Sequence, residues 1–144
     1  MINADVPGHS DLGISRLLRR AAATERARLE RALADLRITQ GQYALLDLLG
    51  STDGINGADA ARAECLTPQT ICVIAQNLER MGAIERRPHP DGGRAKTMRL
   101  TAHGGDLLSE CHARLEGFEA RLAGRVPGGA AASVASWLSS LARA

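Results

Sequence analysis

The sequence predicts a mainly helical protein that carries one small β-hairpin. Hydrophobic residues make up 44% of the 144 positions but aromatic residues only 2%, so the core has to be aliphatic, which favours helices over sheets. Apolar residues recur at helical spacing through most of the chain. Between residues 82 and 101 this spacing gives way to short alternating runs around a glycine-containing turn. We expect one domain over residues 1–144, with about six helices.

The N-terminal part predicts a long amphipathic helix over about residues 10–36. Ser10 or Asp11 can cap this helix, and apolar residues follow at spacings of three and four as far as Leu36. Arginines occupy many of the remaining positions, and we expect them to be solvated.

Two shorter helices follow, and each has its own start signal. Thr39 and Gln42 have the spacing of a capping box, in which each side chain satisfies a backbone amide of the other residue. An Asp-Gly pair at positions 53–54 predicts a turn. Asn56 can then cap a third helix over residues 57–64. Alanines keep this third helix slim, so it can pack closely against the helix that follows.

The fourth predicted helix has a well-marked start and an uncharged surface. Thr67 can cap it, and Pro68 stands at the first helical position, where its missing N–H costs nothing. The expected buried stripe consists of Ile71, Ile74, Ala75 and Leu78. The opposite side consists of Gln69, Thr70, Cys72, Val73, Gln76 and Asn77. Gln and Asn can pair with adenine, and Thr and Val can touch a thymine methyl group, so this side suits the major groove of DNA. By itself, the pattern also fits an ordinary surface helix.

A β-hairpin is predicted directly after this helix. Gly82 can end the helix, and residues 83–87 and 97–101 alternate as two strands. The turn between the strands, residues 89–94, contains two glycines that let it bend freely.

The hairpin region carries an excess of basic residues. Residues 79–99 contain six Arg or Lys and three acidic residues. A ribbon of this kind can lie along a phosphate backbone, with Arg86 and Lys96 on its strands, and can place Arg94 in a minor groove. A solvated hairpin with incidental charge is the alternative. The order of helices and hairpin predicts a winged helix-turn-helix over about residues 39–101.

The C-terminal part predicts two helices with more apolar surface than a small monomer can bury. Thr101 can cap the first of them, whose apolar residues Leu108, Cys111, Leu115, Phe118 and Leu122 have the spacing of a coiled-coil seam. The last helix starts near Ala130 and places Val134, Trp137, Leu138 and Leu141 on one side. We therefore expect the terminal helices, residues 10–36 and 102–144, to intertwine with a second copy in a homodimer. Such a dimer could read a pseudo-palindromic DNA site with two helices about 34 Å apart.

Five segments of the chain resemble the MarR family, the multiple antibiotic resistance type regulators. They are LTPQT (66–70), NLERMG (77–82), ERRP (85–88), GRAK (93–96) and LTAHG (100–104), and the similarity is dense over about residues 39–105. Members of this family are homodimeric winged helix-turn-helix repressors or activators. Many are released from DNA by small aromatic or lipophilic compounds, and some by oxidation or metals. The resemblance implies that the DNA-facing residues are Pro68, Gln69, Thr70, Cys72, Val73 and Gln76, with Arg94 as the wing arginine.

Several positions depart from the family pattern. Val73 and Asn77 stand where basic residues are common, which implies that DNA affinity depends more on the wing. Cys65 stands where a turn glycine is common and Glu64 where a leucine is common, so we expect a slightly strained turn. Gly92 occupies a wing position that is commonly acidic.

Other function classes have weaker support in the sequence. Nucleophile elbows, phosphate-binding glycine loops and H-E-x-x-H are absent, so we expect neither an enzyme nor a cofactor. A zinc site formed by Glu110, Cys111, His112 and His103 is disfavoured, because neighbours on a helix point to different faces. We therefore expect no metal site.

Alternatives within the same fold stay open. Cys72 lies near a helix N-terminus, where the helix dipole favours a thiolate, so it could respond to oxidants. Cys65 could join it only if the turn rearranged, and Cys111 is the remaining thiol. A ligand- or protein-interaction module that has lost DNA binding is a further alternative.

The cellular setting and the effector follow from composition and from the resemblance. Three cysteines without a C-x-x-C pair favour a reduced, cytoplasmic setting. The sequence shows neither a secretion signal nor an apolar run of about 18 residues, so no membrane is expected. The net charge of +2 is too small to argue for DNA binding by itself. By analogy with the family, a small effector would lodge between the dimerisation helices and the winged domain, with Tyr43 as a candidate contact or a core residue.

Overall fold

The computed structural model of the protein describes residues 13–88, 91–92 and 96–143. The described helices are α1 (Ile14–Ala32), α2 (Gln40–Gly50), α3 (Gly57–Ala63), α4 (Pro68–Arg80), α5 (Ala102–Arg114), α6 (Phe118–Gly124) and α7 (Ala131–Ala142). The strands are β1 (Ile55–Asn56), β2 (Ile84–Pro88) and β3 (Lys96–Leu100), and short 3₁₀ helices cover Ala34–Leu36 and Pro127–Gly129. The proposed caps Ser10 and Asp11 lie outside the described residues.

Side-chain caps start the four central helices, α2 to α5, as the sequence predicts. The capping oxygens belong to Thr39, Asn56, Thr67 and Thr101, which accept backbone hydrogen bonds from Gln42, Asp59, Thr70 and Gly104 at 3.2, 2.8, 3.2 and 3.0 Å, respectively. The capping box of α2 is complete, because the Thr39 N–H also donates to Gln42 Oε1 at 3.0 Å. Each cap is worth about 1 kcal/mol, so these helix starts are encoded locally.

The predicted hairpin forms the larger part of a three-stranded antiparallel sheet. The strand order is β1-β3-β2, and the buried Met98 of β3 stands opposite Ile55 on one side and Arg86 on the other. Strand β1 was not predicted, since its two residues carry no alternation of their own. It forms because the chain leaving α2 passes along the free edge of β3.

An aliphatic core surrounds α2, as the composition predicts. Among the described residues, the largest fully buried side chains are Leu33, Leu45, Leu46, Ile71, Leu78 and Cys111. Burying one leucine stabilises the fold by roughly 1.5–3 kcal/mol. Helix α2 packs against α4 on one side and α5 on the other, so it connects the winged helix-turn-helix to the C-terminal helices. No described helix has the length and apolarity that a membrane span requires.

Two predicted helices end earlier than expected. The first ends at Ala32, followed by a 3₁₀ turn and Arg37 at φ 56°. The predicted fifth helix is split into α5 and α6, because Gly117 takes a left-handed conformation at φ 81° that a continuous helix cannot accommodate. The prediction that Cys111 lies in a coiled-coil seam was also wrong, since its side chain is fully buried in the core.

The N-terminus of α5 is held against the end of α4. Gly82 leaves α4 at φ 73°, and its carbonyl accepts a hydrogen bond from the Thr101 hydroxyl at 2.6 Å. The Thr101 N–H donates to the Ala83 carbonyl at 3.0 Å. Gly104 lies so close to this carbonyl that a β-carbon built there would overlap the oxygen. The approach of α5 to the wing therefore requires glycine at position 104.

Gly104→Ala should lower the free energy of unfolding by at least about 2 kcal/mol, because the added methyl group has to displace the Ala83 carbonyl. Gly105→Ala is the matched control, since a β-carbon there has no heavy atom within 4 Å and alanine favours the helix. This control should stabilise the protein by about 0.5–1 kcal/mol. Urea denaturation of both variants measures the difference, and equal stabilities would contradict the proposed contact.

Candidate nucleic-acid interface

Helix α4 presents the surface that its sequence predicts. Ile71, Ala75 and Leu78 are buried, whereas Ile74 is half-buried. Pro68, Gln69, Thr70, Cys72, Val73 and Gln76 are exposed, and Asn77 is half-buried. We call this group the α4 surface. It carries no formal charge, although Arg80, in the last turn of the same helix, is also exposed.

Local contacts order part of the α4 surface. The hydroxyl oxygens of Thr67 and Thr70 lie 2.9 Å apart. The Gln76 side-chain amide lies 3.7 Å from Cys72 Sγ. Val73 is 56% exposed, and its neighbours at helical spacing, Gln69, Thr70, Gln76 and Asn77, carry no charge.

The wing residues lie in three different environments. Arg86 is half-buried, and its Nε lies 2.9 Å from Glu79 Oε1, which ties β2 to the last turn of α4. Lys96 is exposed at the start of β3. Arg94, the proposed wing arginine, lies outside the described residues. Arg86 therefore holds the wing against α4 through its Glu79 contact, a role that the sequence did not suggest.

A small cleft separates α4 from the wing. It has a volume of about 170 Å³, and Cys72, Arg86 and Lys96 are among the residues that line it. The two cationic residues of this lining come one from each wing strand.

The turn between α3 and α4 is strained at the position where the sequence predicted strain. Cys65 has a φ of 54°, a left-handed conformation that costs roughly 1–2 kcal/mol for a residue other than glycine. The Leu66 N–H donates to the Ala61 carbonyl at 2.9 Å and closes the turn. Cys65 itself is exposed, and its Sγ lies 3.7 Å from the Ala142 carbonyl oxygen at the end of α7.

Glu64 in the same turn is a half-buried acid. Burial raises the pKa of its carboxyl group, and the negative charge of Asp47 on α2 adds to the effect. The ionised form is therefore disfavoured in the folded protein. The sequence shows that Glu64 stands where leucine is common in the family. The effect of Asp47 on Glu64 depends on the packing of α2 near the turn, so only the structure reveals it.

A second candidate site is a cavity of about 350 Å³ between α1, α2, α5 and α6. Tyr43 lines this cavity and also packs against the core. The core role is therefore confirmed, and the ligand contact stays a prediction. The ring of His112 meets Tyr43 edge-on at 6.2 Å between centroids, and its Nε2 lies 2.8 Å from Asp47 Oδ1. We call this space the Tyr43 cavity.

The residues of the alternative zinc site do not converge. Cys111 is buried in the core, where burial raises the pKa of its thiol, whereas His112 faces Asp47 on the surface. Within the described part of the chain, no three His, Cys, Asp or Glu side chains are grouped so that they could hold a metal ion.

These features define a winged helix-turn-helix protein with an uncharged α4 surface, and comparison with known sequences identifies its family. Residues 38–96 match the MarR family. The HTH-type transcriptional repressor Rv2887 of Mycobacterium tuberculosis is 30% identical over 116 residues, which cover 81% of this chain and 84% of that protein. The chain therefore belongs to the MarR family. Regulators of this family are transcription factors and not enzymes, in agreement with the function class expected from the sequence.

Solved structures share the fold over nearly the whole chain. CouR from Rhodococcus jostii RHA1, bound to p-coumaroyl-CoA, aligns with a TM-score of 0.82 and 25% identity over 92% of this chain and 93% of its own. MepR from S. aureus, in a complex with DNA, aligns with a TM-score of 0.81 and 23% identity over 91% and 97% of the two chains. Both alignments include the winged helix-turn-helix and most of the terminal helices.

Glu64→Gln should raise the free energy of unfolding at pH 7. Because its pKa is raised, Glu64 binds a proton more tightly in the folded state than in the unfolded state. The wild type is therefore relatively most stable below the unfolded pKa of Glu64, near 4.5, and loses this stability as pH rises through the folded pKa. The advantage of the variant should therefore disappear near pH 4. Glu64→Leu should add apolar burial to this gain.

Denaturation curves at pH 4 and pH 7 test this prediction. Glu110→Gln, which neutralises an exposed acid on α5, is the control and should change neither curve. A Glu64→Gln variant that is less stable than the wild type at pH 7 would contradict the inferred cost of burying the carboxylate.

Proposed function

We propose that the protein is a transcriptional repressor that binds a pseudo-palindromic operator as a homodimer and is released by a small lipophilic ligand. The observation that carries the proposal is the α4 surface, an exposed and uncharged helix face presented next to a basic wing. Two comparisons support the proposal: the mycobacterial relative is named a transcriptional repressor, and the structure of MepR is a complex with DNA. A repressor of this kind would act in the cytoplasm.

The α4 surface would enter the major groove and read bases. Gln69 and Gln76 are exposed and can pair with adenine, while Val73 can contact a thymine methyl group. The remaining proposed contacts from this helix are Pro68, Thr70, Cys72 and Asn77. Because the α4 surface has no positive charge of its own and the exposed Arg80 lies at the end of the helix, α4 would contribute base selectivity more than affinity.

The wing would supply most of the electrostatic attraction. Lys96 is exposed for a phosphate contact, and Arg94 is proposed to reach a minor groove. Arg86 remains a proposed DNA contact, but its Glu79 partner takes up one side of its guanidinium. The slope of affinity against salt scales with the number of phosphate contacts, so the few basic residues of the wing should give a moderate salt dependence.

The terminal helices support a dimer. Apolar side chains remain exposed at both ends of the chain: Ile14 is 64% exposed, Leu17 39%, Trp137 43%, Leu138 43% and Leu141 46%. An apolar groove of about 450 Å³ runs between α1, α6 and α7. A second copy that inserts its own terminal helices would cover this surface, which a monomer would leave in water.

The Tyr43 cavity is the proposed effector site. It lies between the terminal helices and α2, and α2 packs directly against α4. A ligand that fits only one spacing of these helices would favour that spacing and so change the separation of the two α4 helices in the dimer. The p-coumaroyl-CoA complex of CouR supports an effector in a protein of this fold.

A thiol response at Cys72 is a second candidate. Cys72 is exposed on the α4 surface, and it shares the small cleft with Arg86 and Lys96. Oxidation there would add polar atoms at the proposed DNA interface and would block binding directly. Release of DNA by peroxide from the wild type but not from Cys72→Ser would favour this mode of regulation.

Arg94→Ala should weaken binding to the protein's own upstream DNA by about tenfold and lower the salt slope, with little change in sequence preference. Gln69→Ala should instead cost about 1–3 kcal/mol at the base it reads and relax the preference there. Fluorescence anisotropy at about 0.15 M salt measures both. Arg31→Ala, which removes a charge from α1, is the control. A wild-type protein that does not prefer its upstream DNA over unrelated DNA would favour the interaction-module alternative.

Leu138→Glu should convert the dimer to a monomer at micromolar concentration, because a carboxylate would have to be buried in the apolar groove. Ser136→Glu places the same charge on the opposite side of α7 by helical spacing, and it should remain dimeric. Size-exclusion chromatography with light scattering measures the mass. A wild type that is monomeric under the same conditions would contradict the proposed dimer.

A further inference from the structure

We infer that the Tyr43 cavity selects lipophilic cations, meaning a protonated amine attached to a compact apolar body. The inference rests on the proposed function, because it names the chemical class of the effector. A volume of about 350 Å³ is at the lower end of the range for small-molecule sites. The occupant would therefore be small, with roughly one aromatic ring and a short chain.

The charged groups around the cavity leave one negative charge without a partner. Three charged side chains line the cavity: Glu25, Arg26 and Glu119. Glu25 accepts from Arg28 at 2.9 Å, and Arg26 lies 3.3 Å from Glu30. Among the described residues, Glu119 forms no ion pair or hydrogen bond through its side chain. Its carboxylate is the one formal charge of the lining that a ligand could neutralise.

The other polar groups of the cavity do not offset this charge. The His112 imidazole faces the Asp47 carboxylate at 2.8 Å, so any positive charge on it is already matched. Burial raises the pKa of the Tyr43 hydroxyl, and Asp47, Cys111 and Glu119 add to the effect in that order.

The apolar side chains of the lining indicate what the uncharged part of the ligand should be. Leu29, Leu115, Phe118 and Leu122 contribute the hydrocarbon surface of the cavity. The Arg121 guanidinium lies 4.5 Å from the centre of the Phe118 ring but is not part of the lining, so it covers the ring without offering a cation to the ligand. An apolar body would fill the cavity, and its ammonium group would reach Glu119 at the rim.

Glu119 is exposed in the single chain, so the expected selectivity is moderate. Glu119 also lines the apolar groove of the proposed dimer, so a second copy would limit its exposure. A solvent-accessible ion pair contributes up to about fivefold in affinity, and an anion in the same place would be repelled by a similar factor. The two factors multiply, so a cation should bind up to about 25-fold more tightly than an anion of the same shape. A neutral analogue should fall between them.

Calorimetric titration of the whole protein with three matched probes tests the inference. The probes are 4-phenylbutylamine, 4-phenylbutanol and 5-phenylpentanoate, which share a phenyl ring with four methylene groups and are cationic, neutral and anionic at pH 7. We expect the amine to bind most tightly and the carboxylate most weakly. Equal binding of amine and carboxylate, or no binding of any probe, would overturn the inference.

Three variants locate the effect. Glu119→Gln should lower amine affinity about fivefold and leave the alcohol within about twofold. Glu116→Gln removes an exposed acid from the α5–α6 turn, outside the cavity lining, and should leave all three affinities unchanged. Ala22→Phe should fill the cavity and abolish binding of all three probes. Because Ala22 also lines the apolar groove, light scattering should show that the mass of this variant is unchanged. An amine preference that survives Glu119→Gln would overturn the inference.

The two levels of proposal can fail separately. The titrations need no DNA, so they report the charge preference of the cavity whatever the protein binds. Release of the protein's upstream DNA by the amine is measured in a separate anisotropy experiment. An amine that binds as expected without releasing DNA would contradict the effector role alone. Release by amine and carboxylate at equal concentrations would contradict the charge selectivity alone.

Discussion

The close junction between the end of α4 and the start of α5 is the constraint on which the rest of the structure depends. The Thr101 hydroxyl accepts from the Gly104 N–H and donates to the Gly82 carbonyl, so one side chain joins the two helix ends. The Thr101 N–H holds Ala83 at the first step of the wing. The wing leaves from this junction and returns to it, so its position relative to the α4 surface follows from these few contacts.

Helix α2 connects the two candidate sites. One side carries Tyr43 to the cavity beneath the terminal helices, and the other side packs against α4. The Asp47 carboxylate on the same helix lies close to His112 and also raises the pKa of Glu64 in the turn before α4. Helix α2 is therefore a direct packed connection between the cavity and the proposed DNA-reading surface.

The candidate interface was predictable from sequence wherever its chemistry is local. The exposed residues of α4 followed from helical spacing, and the strain at Cys65 followed from a side chain at a position where glycine is common. The contact of Arg86 with Glu79 was not predictable, because charge alone does not distinguish a phosphate contact from an ion pair between neighbouring elements. The unpaired charge of Glu119 was equally hidden, since it depends on which arginines already have acidic partners.

For the fold as a whole, the sequence by itself determined the helix starts, the hairpin and the aliphatic core, because caps, turns and spacing act over a few residues. The tertiary structure alone decided strand β1, the break at Gly117 and the burial of Cys111. Strand β1 needs the edge of β3, and Cys111 needs the helices that pack around it. The spacing of Cys111 shows only that its side chain lies on the apolar side of its helix. Whether that side packs in the core of one chain or against a second copy depends on how distant elements pack, which a local pattern cannot indicate.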